Sequence, residues 1–429
     1  MQTYATALMY AIPGFVILML LEYAYGYFKG FHTFNGMDTI SSLSSGMTNT
    51  LKSILGISIA ILSYEWVEKH IALTKIDNHW SIYVIGFIAL DFAGYWSHRL
   101  NHTLNVFWNR HIVHHSSEEF NLACALRQPI SGILAYHGLF LIPAALLGIP
   151  PKVIALLGPL HLFAQFWYHT RLIGKMGWLE YILVTPSHHR VHHSINPIYL
   201  DKNHSQIFII WDKLFGTFQE ELEEEPAVYG VTRPLNTWNP FKINYKHLAF
   251  LIRDAWYAKS YWDKARIWFM PLGWRPADVA EKLPVDYQEN VHKQVKYDSH
   301  LSKFMGLWAW IQFVGIFSLT TLMLYLISNG SLTMPEVYYF GGIIALGIYG
   351  YTSVMDRDLL GSWVQVISSS SALGYMIWTK DWFGLAAVHM GIVGILGVFF
   401  GFGLISTLYL IFTKKIKQHD VVEAAYAAG

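Results

Sequence analysis

The hydrophobic positions of this chain fall into long runs rather than the short alternating or amphipathic segments of a soluble domain. A helix needs about 20 apolar residues to cross a bilayer. Runs of that order lie near 5–27, 47–66, 80–97, 130–149 and 152–170, and four more near 305–328, 335–353, 359–379 and 385–412. Between the two sets, from Glu220 to about Ser302, the chain turns polar, with acidic Glu220 to Glu225 and the turn dipeptides Arg233-Pro234 and Asn239-Pro240. The pattern predicts an all-α polytopic membrane protein with about nine transmembrane helices. Residues 1–80 would form N-terminal spans, 81–218 a histidine-rich domain, 219–302 an aqueous segment and 303–429 the C-terminal spans.

Composition supports this reading. Only 14% of residues are charged and 53% are hydrophobic, against about a quarter charged in soluble proteins. The formal charge of +1 gives no reason to expect nucleic acid as a partner. A single cysteine, Cys124, excludes a disulfide framework and any cysteine-based zinc or iron-sulfur site. The N-terminus lacks the basic flank and cleavage pattern of a signal peptide, so the first run is expected to stay as a span. If the basic tail Lys414-Lys415-Ile416-Lys417 is cytoplasmic, only Lys69, Lys75, Lys152 and Lys380 fall on the far side. The sequons at Asn101, Asn203 and Asn329 are then not expected to carry glycans.

The candidate chemistry lies after the third run and after the fifth. Three histidine boxes stand in order: His98-Arg-Leu-Asn-His102, His111-Ile-Val-His114-His115 and His188-His189-Arg-Val-His192-His193. On a helix, residues three and four apart share a face, so His98 and His102 can reach one ion. Adjacent rings such as His114 and His115 diverge by about 100° and can serve neighbouring ions. His111 belongs with them, and box three repeats the geometry with His189, His192 and His193. Eight such imidazoles exceed the three or four protein ligands of one zinc, so two metals are expected. Nitrogen ligation alone suits zinc, iron or copper. A lipid-facing site favours oxygen chemistry, because aliphatic C–H bonds offer hydrolysis nothing to attack.

The boxes resemble those of the fatty acid hydroxylase and sterol desaturase superfamily of membrane di-iron oxygenases. The resemblance extends over roughly residues 85–220, through Ser116-Ser-Glu-Glu-Phe-Asn-Leu122, Ala125-Leu-Arg-Gln128, Thr185-Pro-Ser187 and Ile210-Trp-Asp-Lys-Leu-Phe-Gly-Thr-Phe218. These runs look most like the branch that cleaves ether lipids. The resemblance implies a di-iron domain over 81–218, with iron-ligand roles for His98, His102, His111, His114, His115, His189, His192 and His193. It also implies O2 as co-substrate, hydroxylation of the carbon next to an ether oxygen, and tetrahydrobiopterin as reductant. One departure is His204, which follows Asn203 where an aromatic residue is expected. No dinucleotide fingerprint, cysteine cluster site or fused cytochrome b5 loop is present, so electrons must come from tetrahydrobiopterin or another external donor.

Further candidates flank the boxes. His161, Gln165 and His169 form a stripe at i, i+4 and i+8. His169 is counted as a ninth metal ligand, and His161 stays open between ligand and packing. His188 is taken as a metal ligand or the support of one. Asp91 and Glu118, with Glu119, are the carboxylates expected to assist catalysis by orienting imidazoles, and Arg127 or Arg190 could pair with them or with a lipid headgroup. The run Glu220 to Glu225 reads as solvated. Trp96, Phe107, Trp108, Phe163, Phe166, Trp167 and Trp211 fit either an acyl tunnel or an interfacial belt. The expected protein is an integral, multi-pass enzyme of a bacterial inner membrane or the endoplasmic reticulum, with its boxes on the cytoplasmic side and a lipid as substrate. Rival readings are a fatty acyl or sterol hydroxylase or desaturase, a zinc hydrolase and a metal transporter.

Overall fold

The computed structural model describes residues 1–60, 63–74, 80–288 and 290–416. The protein is mostly helical; a two-residue parallel pairing of Ile59–Ala60 with Leu134–Ala135 is the sheet among the described residues. Among the described residues, four helices are long and apolar enough to cross a membrane: Gln2–Lys29, Lys303–Ser328, Met334–Met355 and Met390–Phe412. Ser81–Thr103 and Leu359–Thr379 have span length at 23 and 21 residues, but Asp91 and His98 in the first and the serines of the second make them more polar.

Among the described residues the nine apolar runs do not each form one long helix, for local reasons. The run at 47–66 breaks where the Gly36–Ile54 helix ends and Gly56 takes a φ of 66°; a new helix, Tyr64–Ile71, starts at the Ser63 cap. The run at 130–149 is helical only over a 3-10 turn at His137–Leu141 and the short Ile142–Leu146 helix, and Gly148 ends it at φ 67°. The run at 152–170 holds a 13-residue helix, Pro151–Phe163. Hydropathy registered these runs as apolar; prolines and glycines decide where each helix stops. Lys75 and Lys417, used for orientation, lie outside the described residues.

Two packed halves result. In the C-terminal half, Lys303–Ser328, Met334–Met355, Leu359–Thr379 and Met390–Phe412 pack in sequence, and Gln2–Lys29 lies against the first. Their core is built on Trp308, Met323, Phe340, Ile344, Ile348 and Tyr351. Start signals are explicit: Ser302 accepts from Met305 N, and Thr333 and Glu336 form a capping box with Pro335 in the first turn. In the box-bearing half, Ser81–Thr103 packs on Pro151–Phe163 and, after a turn at Leu104, on Asn105–His115. The Pro240–Tyr257 helix, capped by Asn239, lies on the outside of Asn105–His115.

Helices Met334–Met355 and Leu359–Thr379 approach closely at Gly350, where an added Cβ would come within 2.5 Å of the Gln365 Cα. That contact is backbone, so it cannot give way as a side chain would. Gly350→Leu should therefore lower stability by about 1–3 kcal/mol, seen as a lower thermal midpoint in detergent. An unchanged midpoint would mean that the two helices are not packed this closely.

Candidate metal centre

Nine imidazoles converge in two groups. His98, His102, His111, His115 and His192 form one, and His114, His169, His189 and His193 the other; within each, the ligand atoms lie within 4.8 Å of one another. The helical spacing does this work. Ser81–Thr103 presents His98 and His102 one turn apart, and Asn105–His115 presents His111 and His115 to the same point while His114 turns to the second group. The Pro186–His192 helix divides its residues likewise, His192 going to the first group and His189 with the adjoining His193 to the second.

The hydrogen bonds define which ring nitrogens point inward. His98 Nδ1 donates to the His204 carbonyl at 2.6 Å, His192 Nδ1 to Lys202 at 2.9 Å, His114 Nδ1 to Arg127 at 3.3 Å and His169 Nδ1 to Gln165 at 3.0 Å. Each of these rings has its proton on the outer nitrogen, leaving a bare lone pair on Nε2. His102 Nδ1 lies 3.3 Å from an Asp201 carboxylate oxygen, a carboxylate–imidazole support of the kind found behind metal ligands.

One pair of inner nitrogens stands too close for neutral groups alone. His114 Nε2 and His169 Nε2 are 3.2 Å apart, and both are acceptors because their donors are used. His98 Nε2 and His111 Nε2 are 2.8 Å apart, His189 Nε2 and His169 Nε2 2.9 Å, and His193 Nε2 and His189 Nε2 3.0 Å. The buried Nε2 of His192 has no hydrogen-bond partner. Donors about 2.1 Å from one cation sit about 3.0 Å apart in cis positions of an octahedron. The donor set therefore fits a cation in each group. Burial first, and neighbouring imidazoles second, push His111, His115, His189, His192 and His193 well below their ordinary value of 6.5. They are held neutral, the form that binds metal.

The remaining candidates are placed elsewhere. His188 stands outside both groups, its Nδ1 3.4 Å from the Thr185 amide in a capping box, with its ring against Phe218. His161 Nε2 binds Asp91 at 2.8 Å. Asp91, fully buried, also accepts from the amides of Ile207 and Phe208 and from the Trp211 indole, so it ties the chain after box three to the box-one helix and meets neither imidazole group. Glu118 accepts from the Tyr297 amide, and Glu119 pairs with Lys296 at 2.7 Å. The His204 ring lies 5.0 Å from that of His102, outside the group of five.

Sequence reasoning missed several supports. Arg127 is buried against Asp38 at 2.9 Å and also reaches Ser42 and Ser116; its partner comes from the Gly36–Ile54 helix, far upstream. Arg190 makes a two-pronged pair with Glu221, 2.7 Å on each arm, so the acidic run read as solvated braces box three. Asp212 accepts from the amides of His204 and Ser205 and holds the loop whose carbonyl orients His98; its place in Trp211-Asp212-Lys213 was the available signal. Of the seven aromatic residues, Trp108 faces the imidazoles, 5.0 Å from His102, whereas Phe163 and Phe166 pack on Phe15. Tyr168 and Phe120 flank the second group, 4.3 and 6.0 Å from His189.

Two outcomes follow for the metal-free protein. The folded chain keeps His111, His115, His189, His192 and His193 neutral while the unfolded chain protonates them below about 6.5, so stability must fall as pH drops through that value. A lower thermal midpoint at pH 5.5 than at pH 7.5 is expected, and equal midpoints would contradict it. Arg127→Met strands a buried Asp38 carboxylate and should cost about 3–5 kcal/mol, read from chemical unfolding; a cost under about 1 kcal/mol would show that the pair does not brace the fold.

Comparison with known proteins agrees in kind. The family model described as fatty acid hydroxylase matches residues 83–217. Alkylglycerol monooxygenase of Homo sapiens is 39% identical over 306 residues, 71% of this chain and 68% of the relative; that of Xenopus tropicalis is 35% identical over 303 residues, 70% and 67%. Ornithine lipid hydroxylase OlsE of Rhizobium tropici is 31% identical over 149 residues, 35% of this chain and 45% of the relative. No solved structure matches the chain. With its imidazole groups inside the matched region and this extent of likeness, the chain belongs to the fatty acid hydroxylase family, among the alkylglycerol monooxygenases.

Proposed function

We propose that the two imidazole groups hold two iron ions and that the protein hydroxylates an alkylglycerol at the carbon next to the ether oxygen. The observation that carries the metal assignment is the pair of opposed acceptors, His114 Nε2 and His169 Nε2, 3.2 Å apart with no proton between them. Ligand roles go to His98, His102, His111, His115 and His192 around one ion and His114, His169, His189 and His193 around the other. His188 and His161 are assigned to support, and so are Asp91 and Glu118, which touch no ligand ring. When bound, the iron pair supplies reductive activation of O2.

The rest of the work belongs to the chain. Carbonyls of His204, Lys202, Arg127 and Gln165 fix four ring orientations before any ion arrives. Trp108, Phe120 and Tyr168 exclude water from the reacting edge, which keeps a radical carbon from side reactions. One oxygen atom enters the C–H bond and the other leaves as water, with two electrons and two protons drawn from tetrahydrobiopterin or another external reductant. The hemiacetal so formed breaks its C–O bond to give an aldehyde and a free glycerol hydroxyl. The boxes lie on the cytoplasmic side of a bacterial inner membrane or endoplasmic reticulum, at the ends of apolar helices.

Metal analysis and product analysis test the two parts separately. Purified full-length protein should hold two irons per chain and, with reductant and O2, release aldehyde from an alkylglycerol but not from a free fatty acid or a sterol. His192→Ala with His193→Ala should lose both metal and product, by more than about 100-fold in rate. Zinc alone with no O2 uptake would overturn the iron; a hydroxylated fatty acid without aldehyde would overturn the substrate.

A further inference from the structure

The segment between the two sets of spans has an outer face that its polar composition conceals. Along the Pro240–Tyr257 helix, Tyr245, Ala249, Ile252 and Trp256 are all exposed and fall at i, i+4, i+7 and i+11, within about 60° of arc. The opposite side is the packed one: Ile243, Asn244, Leu251 and Asp254 are buried. Trp256 is 78% exposed, and the stripe continues past the helix, where Tyr261 is 86% exposed, Trp262 67% and Phe269 63%. A water-facing helix would carry polar residues here.

Both ends of this strap are fastened at the ends of long helices. At its start, Trp238 N donates to Asp356, the C-cap of Met334–Met355, at 2.7 Å, and Asn239 donates to the Tyr349 carbonyl at 3.1 Å. At its finish, the Asn105 side chain donates to the Ile267 carbonyl at 3.0 Å and the Asn105 amide to Met270 at 3.1 Å, beside the end of Ser81–Thr103. The strap is thus held level with the ends of a candidate span and of the box-one helix. Its charges also suit a headgroup layer. The carboxylates are engaged, Asp254 with Arg253 and Arg275 and Asp263 with Arg266, while Lys259 and Lys264 stand beside the aromatic residues.

We propose that the strap from Pro240 to Phe269 lies in the lipid–water interface, its aromatic stripe sunk into the headgroup–acyl boundary and its lysines against lipid phosphates. Tyrosine and tryptophan partition to that boundary because each has an apolar body and a polar tip. The inner face of the strap covers Asn105–His115, the helix of box two, through His247 bonded to the Asn105 carbonyl and Leu248 N bonded to Asn109. The strap therefore sets the depth of box two relative to the bilayer surface. This assignment stands apart from the substrate and the metal above.

The chain suits a direct measurement, since its one cysteine, Cys124, is buried. Trp262→Cys, Ile252→Cys and, as an aqueous control, Glu281→Cys are labelled with an environment-sensitive fluorophore in the full-length protein. The label is read in nanodiscs of phosphatidylcholine and phosphatidylglycerol. At 262 and 252 we expect blue-shifted emission, quenching by lipids carrying a nitroxide near the headgroup, and iodide quenching at least about threefold weaker than at 281. Iodide access equal to the control at both positions would overturn the proposal. So would protection without nitroxide quenching that disappears on dilution, which would assign the face to a second copy of the chain. Neither readout depends on iron or turnover, so an inactive preparation still decides the question.

Discussion

Two imidazole nitrogens that each present a lone pair to the other, His114 Nε2 and His169 Nε2, state the constraint around which this protein is built. Two buried lone pairs do not face each other at 3.2 Å without something positive between them. Such a group is poor at folding by itself. The scaffold fixes rings from behind, and the spacing of the assembled donors fits a cation in each group.

The supporting shell is mostly backbone and mostly distant in sequence. Carbonyls from Lys202, His204, Arg127 and Gln165 set the tautomers, and three loops must be rigid for these carbonyls to stay in place. Arg127 on Asp38 anchors the chain after box two to the Gly36–Ile54 helix. Arg190 on Glu221 clamps box three. Asp91 and Asp212 gather amides in the 204–212 loop. None of these carboxylates meets a group of converging imidazoles, so their part is positional, and the electrostatic cost of burying them is offset by several hydrogen bonds each.

The strap from Pro240 to Phe269 places the same centre in its surroundings. Its inner face shares an apolar contact with Ile112 and Val113 on the box-two helix through Ile243, while its outer face is aromatic. An enzyme drawing a lipid from a bilayer needs its reacting atoms at a set depth, and a strap pinned at the ends of two long helices is a mechanical way to hold that depth.

How much of this was legible in the chain depends on range. Helical periodicity alone placed His98 with His102 and turned His114 away from His115, because those relations follow from 3.6 residues per turn. The stripe from His161 to His169 was visible too, yet only packing separated its two ends: the chain leaves the helix after Phe163, so His169 swings to the imidazoles while His161 stays on Asp91. Hydropathy located the apolar runs but not the helix ends within them, since helices stop at Gly56 and Gly148 inside two of the runs. Partners of Arg127 and Arg190 were unreadable because Asp38 and Glu221 lie 89 and 31 residues away. Sequence by itself determined which side chains could meet a metal and that they sit among apolar helices, as local geometry and transfer free energy are local properties. Tertiary structure alone decided the division into five and four, the place of His188 outside both groups and the outward face of the strap, because each depends on which distant segment occupies the space beside it.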